Sequence, residues 1–134
     1  FEGPDVVLAS GKTGSGDEVY IYGEKREEQT DNITLGSIVT GGITEISKKP
    51  FPNLSVQGEL VGISKISLKL LNRMCEHHEK HLKFPCSKHY EECISDLCPK
   101  NEIPFLRVGD LVWTEIDDES HYERAIKEIL PKLI

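Results

Sequence analysis

The hydrophobic period of the chain changes near Ser64, and this change constrains the fold more than any other feature of the sequence. Before Ser64, short runs rich in β-branched residues are separated by glycines and polar residues, as in Asp5–Ala9, Val19–Tyr22 and Val56–Ile63. Such runs are typical of strands. From Ser64 to about Lys83, apolar residues recur at helical spacing and predict a long helix.

The second half of the chain continues this mixture of helices and strands. Ser87–Leu97 predicts a second amphipathic helix. Phe105–Val108 and Leu111–Ile116 predict two further strands, and Asp117 or Asp118 would cap a final helix. This order of elements predicts an α/β fold with a mixed, mostly parallel sheet flanked by helices.

Three segments before Ser64 predict turns or loops rather than strands. Gly41-Gly42 separates the strand-like runs Thr34–Val39 and Ile43–Ser47, and a glycine pair in that position favours a tight hairpin. Glu24–Asn32 is charged or polar throughout, which favours a solvated surface excursion. The glycine-rich segment Ser10–Asp17 predicts a loop.

Composition bounds the class of protein. The 134 residues fit a single domain spanning 1–134, with 37% hydrophobic residues, enough for a core. The net charge of -7, with Lys and Arg interleaved among acids, argues against a nucleic-acid partner. No apolar run reaches the roughly 20 residues of a membrane-spanning helix, and no signal peptide is recognisable, so a cytoplasmic location is expected.

The cysteines fall in one stretch, which favours reduced thiols over a disulfide framework; they are Cys75, Cys86, Cys93 and Cys98.

Acidic residues cluster where the predicted strand in Val112–Ala125 meets the final helix. Glu115, Asp117 and Asp118 follow the apolar part of that strand. Ligand sites of open α/β sheets lie at this edge, and Mg²⁺ prefers carboxylate oxygens. The alternative is that one aspartate serves only as the helix N-cap.

Several motifs, taken in order, resemble one enzyme family. VGDLVWTEIDDESHYERAIKEI resembles the closing strand and helix of nucleotidyltransferases of the choline-phosphate and phosphonate cytidylyltransferase type, within the sugar-nucleotidyltransferase-like proteins. GITEISKK at 42–49, GELVGISKIS at 58–67 and HYEE at 89–92 fall in matching order. The resemblance covers residues 33–134, whereas residues 1–32 match poorly. It implies the C-terminal part of an incomplete Rossmann-type nucleotidyltransferase domain.

The resemblance also implies a reaction and the residues that perform it. The expected activity is transfer of a cytidylyl group from CTP, or another nucleotidyl group from its triphosphate, to a small phosphorylated or phosphonylated acceptor, with Mg²⁺ as cofactor. By resemblance, Asp117 is the metal ligand and a catalytic residue, and Lys49, or alternatively Lys48, is the catalytic lysine. The residues implied on the substrate side are Glu59, Tyr90 and Glu91.

The sequence also departs from that family. It lacks the family's glycine-rich nucleotide loop and carries His121 where a second acid is often found, so the chain alone is not expected to be active. The alternative function is a non-catalytic binding or structural module. An open sheet edge in such a module would favour self-association or pairing with a missing N-terminal part.

Two further motifs resemble known functional sites, a phosphate-binding loop and a zinc site, but their residue spacing does not match. SGKTGSGD lacks the glycine that a phosphate-binding P-loop requires five residues before Lys12. The Cys/His-rich stretch from Cys75 to Cys98 places His77 and His81 on one helix face at i,i+4. It has no C-x₂-C pair, so adventitious metal capture is favoured over a structural zinc site.

Overall fold

The described part of the chain consists of four strands, two helices, a fifth strand and a helical C-terminal segment. The computed structural model describes residues 5–11, 19–31, 36–49, 51, 53–81 and 89–134. The P-loop-like residues from Lys12 to Asp17 lie outside them, as does Cys86. The elements are β1 (Val6–Ser10), β2 (Tyr20–Asp31), β3 (Gly36–Ser47), β4 (Val56–Lys65), α1 (Leu68–His81), α2 (Tyr90–Leu97), β5 (Pro104–Val108), α3 (Glu119–Arg124), a π-helical turn (Ala125–Ile129) and α4 (Leu130–Leu133).

The strands close into a barrel in the order β1-β4-β2-β3-β5. Neighbouring strands are antiparallel except β1 and β5, which run parallel and complete the ring. The predicted mostly parallel α/β sheet of the Rossmann type is therefore wrong, and so is the expectation of a nucleotidyltransferase-like domain. Parallel neighbours require a long crossover. Among the described strands, only β5 follows helices, and it alone runs parallel to an earlier strand.

The barrel interior is filled by alternating apolar side chains. Val7 and Ala9 of β1 are buried in the core, together with Phe105 of β5. Phe105 lies opposite Gly41 of β3 in the β3–β5 register. A Cβ at Gly41 would overlap the Glu24 carbonyl oxygen and come within 2.6 Å of the Phe105 ring, so the packing of β3 against β2 and β5 requires a glycine at this position.

The predicted hairpin at Gly41-Gly42 and the predicted surface excursion at Glu24–Asn32 are both wrong. β3 runs without interruption through Gly41 and Gly42, which pair with β2 on one side and β5 on the other. The charged run Glu24–Asn32 supplies most of β2, which pairs with β3 as far as Asp31. Backbone hydrogen bonds of a ladder do not depend on apolar side chains, so a charged segment can extend a two-stranded ribbon.

The two central helices form where the sequence predicts them, and α1 buries only part of its predicted apolar stripe. Leu70 and Met74 are buried, whereas Leu68, Leu71 and Cys75 are exposed. All five have helical spacing, so periodicity alone could not decide which of them face the core. The structure therefore leaves apolar side chains of α1 on the surface.

Ser95 ties α2 to the barrel. Its hydroxyl accepts a hydrogen bond from the Ile46 N–H at 3.0 Å and donates one to the Glu45 carboxylate. Ser95 is only 5% exposed. Near the end of α2, burial and the carboxylate of Glu45 raise the pKa of the Cys98 thiol to about 12. We therefore expect the Cys98 thiol to react more slowly than an exposed cysteine.

The C-terminal segment begins with a capped helix. Leu111–Ile116 does not form the predicted strand, because β5 already has neighbours on both edges, β3 and β1. Asp118 is the N-cap of α3, as predicted, and accepts a hydrogen bond from the His121 N–H at 2.9 Å. Most of the predicted apolar face of the helix is exposed, while Ile129 is buried.

The described cysteines are not disulfide-bonded, and the described helices are short. These cysteines are Cys75, Cys93 and Cys98. None of the helices described above combines the length and apolar character needed to cross a lipid bilayer.

Candidate functional site

Asp117, the predicted metal ligand, lies at the exposed start of the C-terminal helix. Its side chain is 52% exposed, and its carboxylate lies 4.0 Å from His121 Nδ1. The neighbouring Asp118 accepts from Ser120 Oγ at 2.7 Å as well as from the His121 N–H. The hydrogen bond from Ser120, followed by that from His121, lowers the pKa of Asp118. This acidic cluster is therefore built as a helix cap.

Lys49 and Glu91 are the two predicted site residues that share a cavity. The cavity has a volume of about 280 Å³ and lies between the end of β3 and the start of α2. Lys48 and His89 also line it. A small anion near the lysines would also face Glu91 and Glu92, and the acids offset the positive charge of the lysines.

Glu59 and Tyr90 lie apart from that cavity. Glu59 is fully buried, and its cross-strand neighbours are Ser10 of β1 and Tyr20 of β2. Its side chain is not without an interaction partner. It therefore presents no surface to a ligand in this conformation. Tyr90 is 43% exposed, and its partial burial raises the pKa of its hydroxyl.

The residues implied by the resemblance are thus distributed over separate parts of the barrel and its helices. Asp117 lines none of the cavities described here. Within the described ranges, no three His, Cys, Asp or Glu side chains are already grouped to hold a metal ion. Apart from Lys49 and Glu91, the structure does not bring the predicted catalytic and substrate-side residues together.

An apolar groove lies on the outer wall of the barrel, at the parallel pair that closes it. Leu8 of β1 and Leu106 of β5 are cross-strand neighbours. Their strand neighbours Val7 and Phe105 point into the core, so both leucines face outward. The groove has a volume of about 620 Å³. We call it the β4 groove, and its lining residues are Val6, Leu8, Ile63, Ser64, Lys65, Ile66, Ser67 and Leu106.

A β-bulge in β4 shapes one wall of this groove. Ser64 pairs with Val7 and Leu60 pairs with Ala9, so the residues from Val61 to Ile63 lie opposite a single β1 residue. Gly62 at the centre of the bulge has φ +90° and no atom near its Cβ position. Glycine adopts this left-handed conformation without strain.

The bulge exposes an apolar side chain at the rim of the groove. Ile63 is 63% exposed. Bulges at the edges of barrels re-aim side chains and are frequent next to functional sites. None of the groove residues was among the predicted site residues. The available signal was Gly62, because a glycine inside a strand pattern indicates a bulge or a close approach.

No protein-family model matches the chain, and no solved structure matches it. The geometry of the described residues is therefore the basis on which a function is assigned.

Proposed function

We propose that the chain is a non-catalytic binding module that holds an apolar peptide segment of a partner protein in the β4 groove. The observation that carries this proposal is the bulge at Gly62, which holds Ile63 in solvent beside the outward-facing Leu8 and Leu106. Exposed apolar side chains around one concave surface are a recurring feature of protein interaction sites.

The groove has the size and lining of a peptide site. Each fully buried Leu, Ile or Phe side chain of a ligand contributes about 1.5–3 kcal/mol. Two or three such anchors contribute about 3–9 kcal/mol in total, which, less the cost of ordering the peptide, corresponds to dissociation constants on the order of millimolar to high micromolar. The groove lies on the outer wall of the barrel.

The charge of the chain favours one kind of partner. With a net charge of -7, two copies repel each other at long range, whereas a segment flanked by Lys or Arg is attracted. An apolar segment with basic flanks is therefore the expected ligand. A cytoplasmic location is part of this proposal, since free thiols are typical of reducing compartments.

Nucleotidyl transfer from CTP to a phosphorylated acceptor stays a prediction without structural support. It required Asp117, Lys49 and Glu59 around one Mg²⁺-nucleotide complex, and these residues occupy an exposed helix cap, a small cavity and a buried strand position. A closed barrel with an apolar groove on its outer wall supports the binding module better than it supports nucleotidyl transfer.

Selection from a phage-displayed library of random peptides, followed by fluorescence anisotropy with the enriched peptides, tests the proposal. The enriched sequences should contain apolar residues next to basic ones. Ile63→Asp should weaken their binding by about tenfold or more, because it places a charge at the rim of an apolar groove. Val56→Asp is the matched control, since Val56 is also an exposed apolar residue of β4, 50% exposed, and lies outside the groove.

The outcome separates this site from others on the surface. Binding that survives Ile63→Asp, or that Val56→Asp weakens equally, would show that the peptides dock elsewhere. Failure to enrich any peptide above the background of the empty support would overturn a peptide as the occupant. Circular dichroism of both variants confirms that each is folded.

A further inference from the structure

A cavity between α1 and α2, separate from the β4 groove, contains three potential metal ligands. It has a volume of about 570 Å³ and is lined by His77 and His81 of α1 and Asp96 of α2. His77 Nε2 lies 3.1 Å from Asp96 Oδ2, and the centroids of the two histidine rings are 4.8 Å apart. Two imidazole rings and a carboxylate therefore line one cavity.

We propose that His77, His81 and Asp96 form a binding site for a divalent transition-metal ion such as Zn²⁺. Ligand atoms bonded at about 2.0–2.1 Å to a tetrahedral zinc ion lie about 3.3 Å from each other. The gap between His77 and Asp96 is close to this spacing, so one ion bridges the two atoms with little movement. His81 follows one helical turn later on the same face of α1.

Binding requires one side-chain movement. Since no three described His, Cys, Asp or Glu side chains are already grouped to hold an ion, the exposed ring of His81 must turn toward the other two ligands. An exposed side chain changes rotamer at small cost. Three protein ligands leave a fourth position for water, as in exchangeable zinc sites rather than closed structural ones.

The surrounding charges set the expected affinity. Arg73, Lys80 and Lys100 line the same cavity and repel a dication, whereas Glu76 attracts it. Arg73 is held by a hydrogen bond to Asn101. The excess of positive charge favours a dissociation constant on the order of micromolar over the tighter values of structural sites.

Titration of the tag-free chain with Co²⁺, followed by visible absorption, and with Zn²⁺, followed by calorimetry, measures the site. One ion per chain is expected. Asp96→Asn and His77→Ala should each weaken binding by about tenfold or more, because each removes one of three ligands. Acidification should also weaken binding, since ligating imidazoles must be deprotonated.

His78→Ala provides the control. His78 is adjacent in α1 but lines a different cavity, with Cys75 and Tyr90, so this variant should bind within about twofold of wild type. Asp96→Asn is isosteric and keeps a hydrogen-bonding group facing His77, so it tests the ligand role in a folded chain. Undiminished binding in Asp96→Asn, or equal loss in His78→Ala, would overturn the site, as would the absence of binding to the wild-type chain.

Discussion

Replacing Ser95 with alanine should destabilise the fold by removing the buried polar link between α2 and β3. The Ser95 hydroxyl satisfies the Ile46 N–H, and Ile46 is only 3% exposed. Leaving a buried N–H without an acceptor costs about 1–3 kcal/mol. The Glu45 carboxylate also loses a donor, but water replaces part of that bond because Glu45 is only half-buried.

Two terms therefore oppose one another in Ser95→Ala. The lost hydrogen bonds together cost about 2–4 kcal/mol. Alanine returns roughly 0.5 kcal/mol through its higher helix propensity. The free energy of unfolding should consequently fall by about 2–3 kcal/mol, a large fraction of the stability of a small domain.

Urea unfolding followed by the fluorescence of Trp113, the single tryptophan, measures this change. Ser47→Ala is the matched control, because Ser47 Oγ accepts only an exposed hydrogen bond from the Lys49 N–H at 3.0 Å. That variant should stay within about 0.5 kcal/mol of wild type. The reasoning is refuted if Ser95→Ala is as stable as Ser47→Ala at unchanged dependence on urea.

Three other predictions test separate parts of the fold. Gly41→Ala should lower the free energy of unfolding by about 1–3 kcal/mol or more in the same urea assay, because its Cβ overlaps the Phe105 ring; wild-type stability would contradict the packing role. Because the pKa of Asp118 is lowered, its cap is intact above the ordinary aspartate range and weakens as pH falls through the lowered pKa. Far-ultraviolet circular dichroism should therefore show an acid-dependent loss of helix that Asp118→Asn, which caps without titrating, does not share. With a pKa raised to about 12, Cys98 should resist iodoacetamide in mildly alkaline buffer while exposed Cys75 reacts; mass spectrometry of peptides distinguishes them, and equal labelling would contradict the burial of Cys98.

Local signals predicted the elements that depend on neighbouring residues. The periodicity after Ser64 predicts α1, and Asp118 marks the start of α3. β1 and β5 also form within a residue or two of the predicted runs. These features depend on side-chain period, capping and strand propensity, which a short stretch of sequence contains.

Long-range packing decided the features that the sequence did not predict. Gly41 is a glycine because Phe105, far along the chain, fills the space where its side chain would lie. The run Leu111–Ile116 has the composition of a strand, but β5, the strand that precedes it, is already paired on both sides. Ring closure is a property of the whole barrel, and no window of neighbouring residues reveals it.

The candidate sites also combine residues that local patterns reveal with residues that only long-range packing brings together. His77 and His81 are visible as a helical pair, but Asp96 joins them only through the packing of α1 against α2. The β4 groove requires the pairing of Leu8 with Leu106 and the bulge around Gly62. The resemblance, by contrast, drew attention to Asp117, where the carboxylates organise a helix end.

The parallel pairing of β1 with β5 has a consequence for synthesis on the ribosome. β1 is translated first, yet its second neighbour appears only after both central helices have been made. During that interval the nascent β1 presents unpaired N–H and C=O groups, which can recruit strands of other chains. Contacts between distant segments also form slowly. Pairing with β5 therefore covers the edge of β1 that has stayed open, and with it the risk of aggregation through that edge ends.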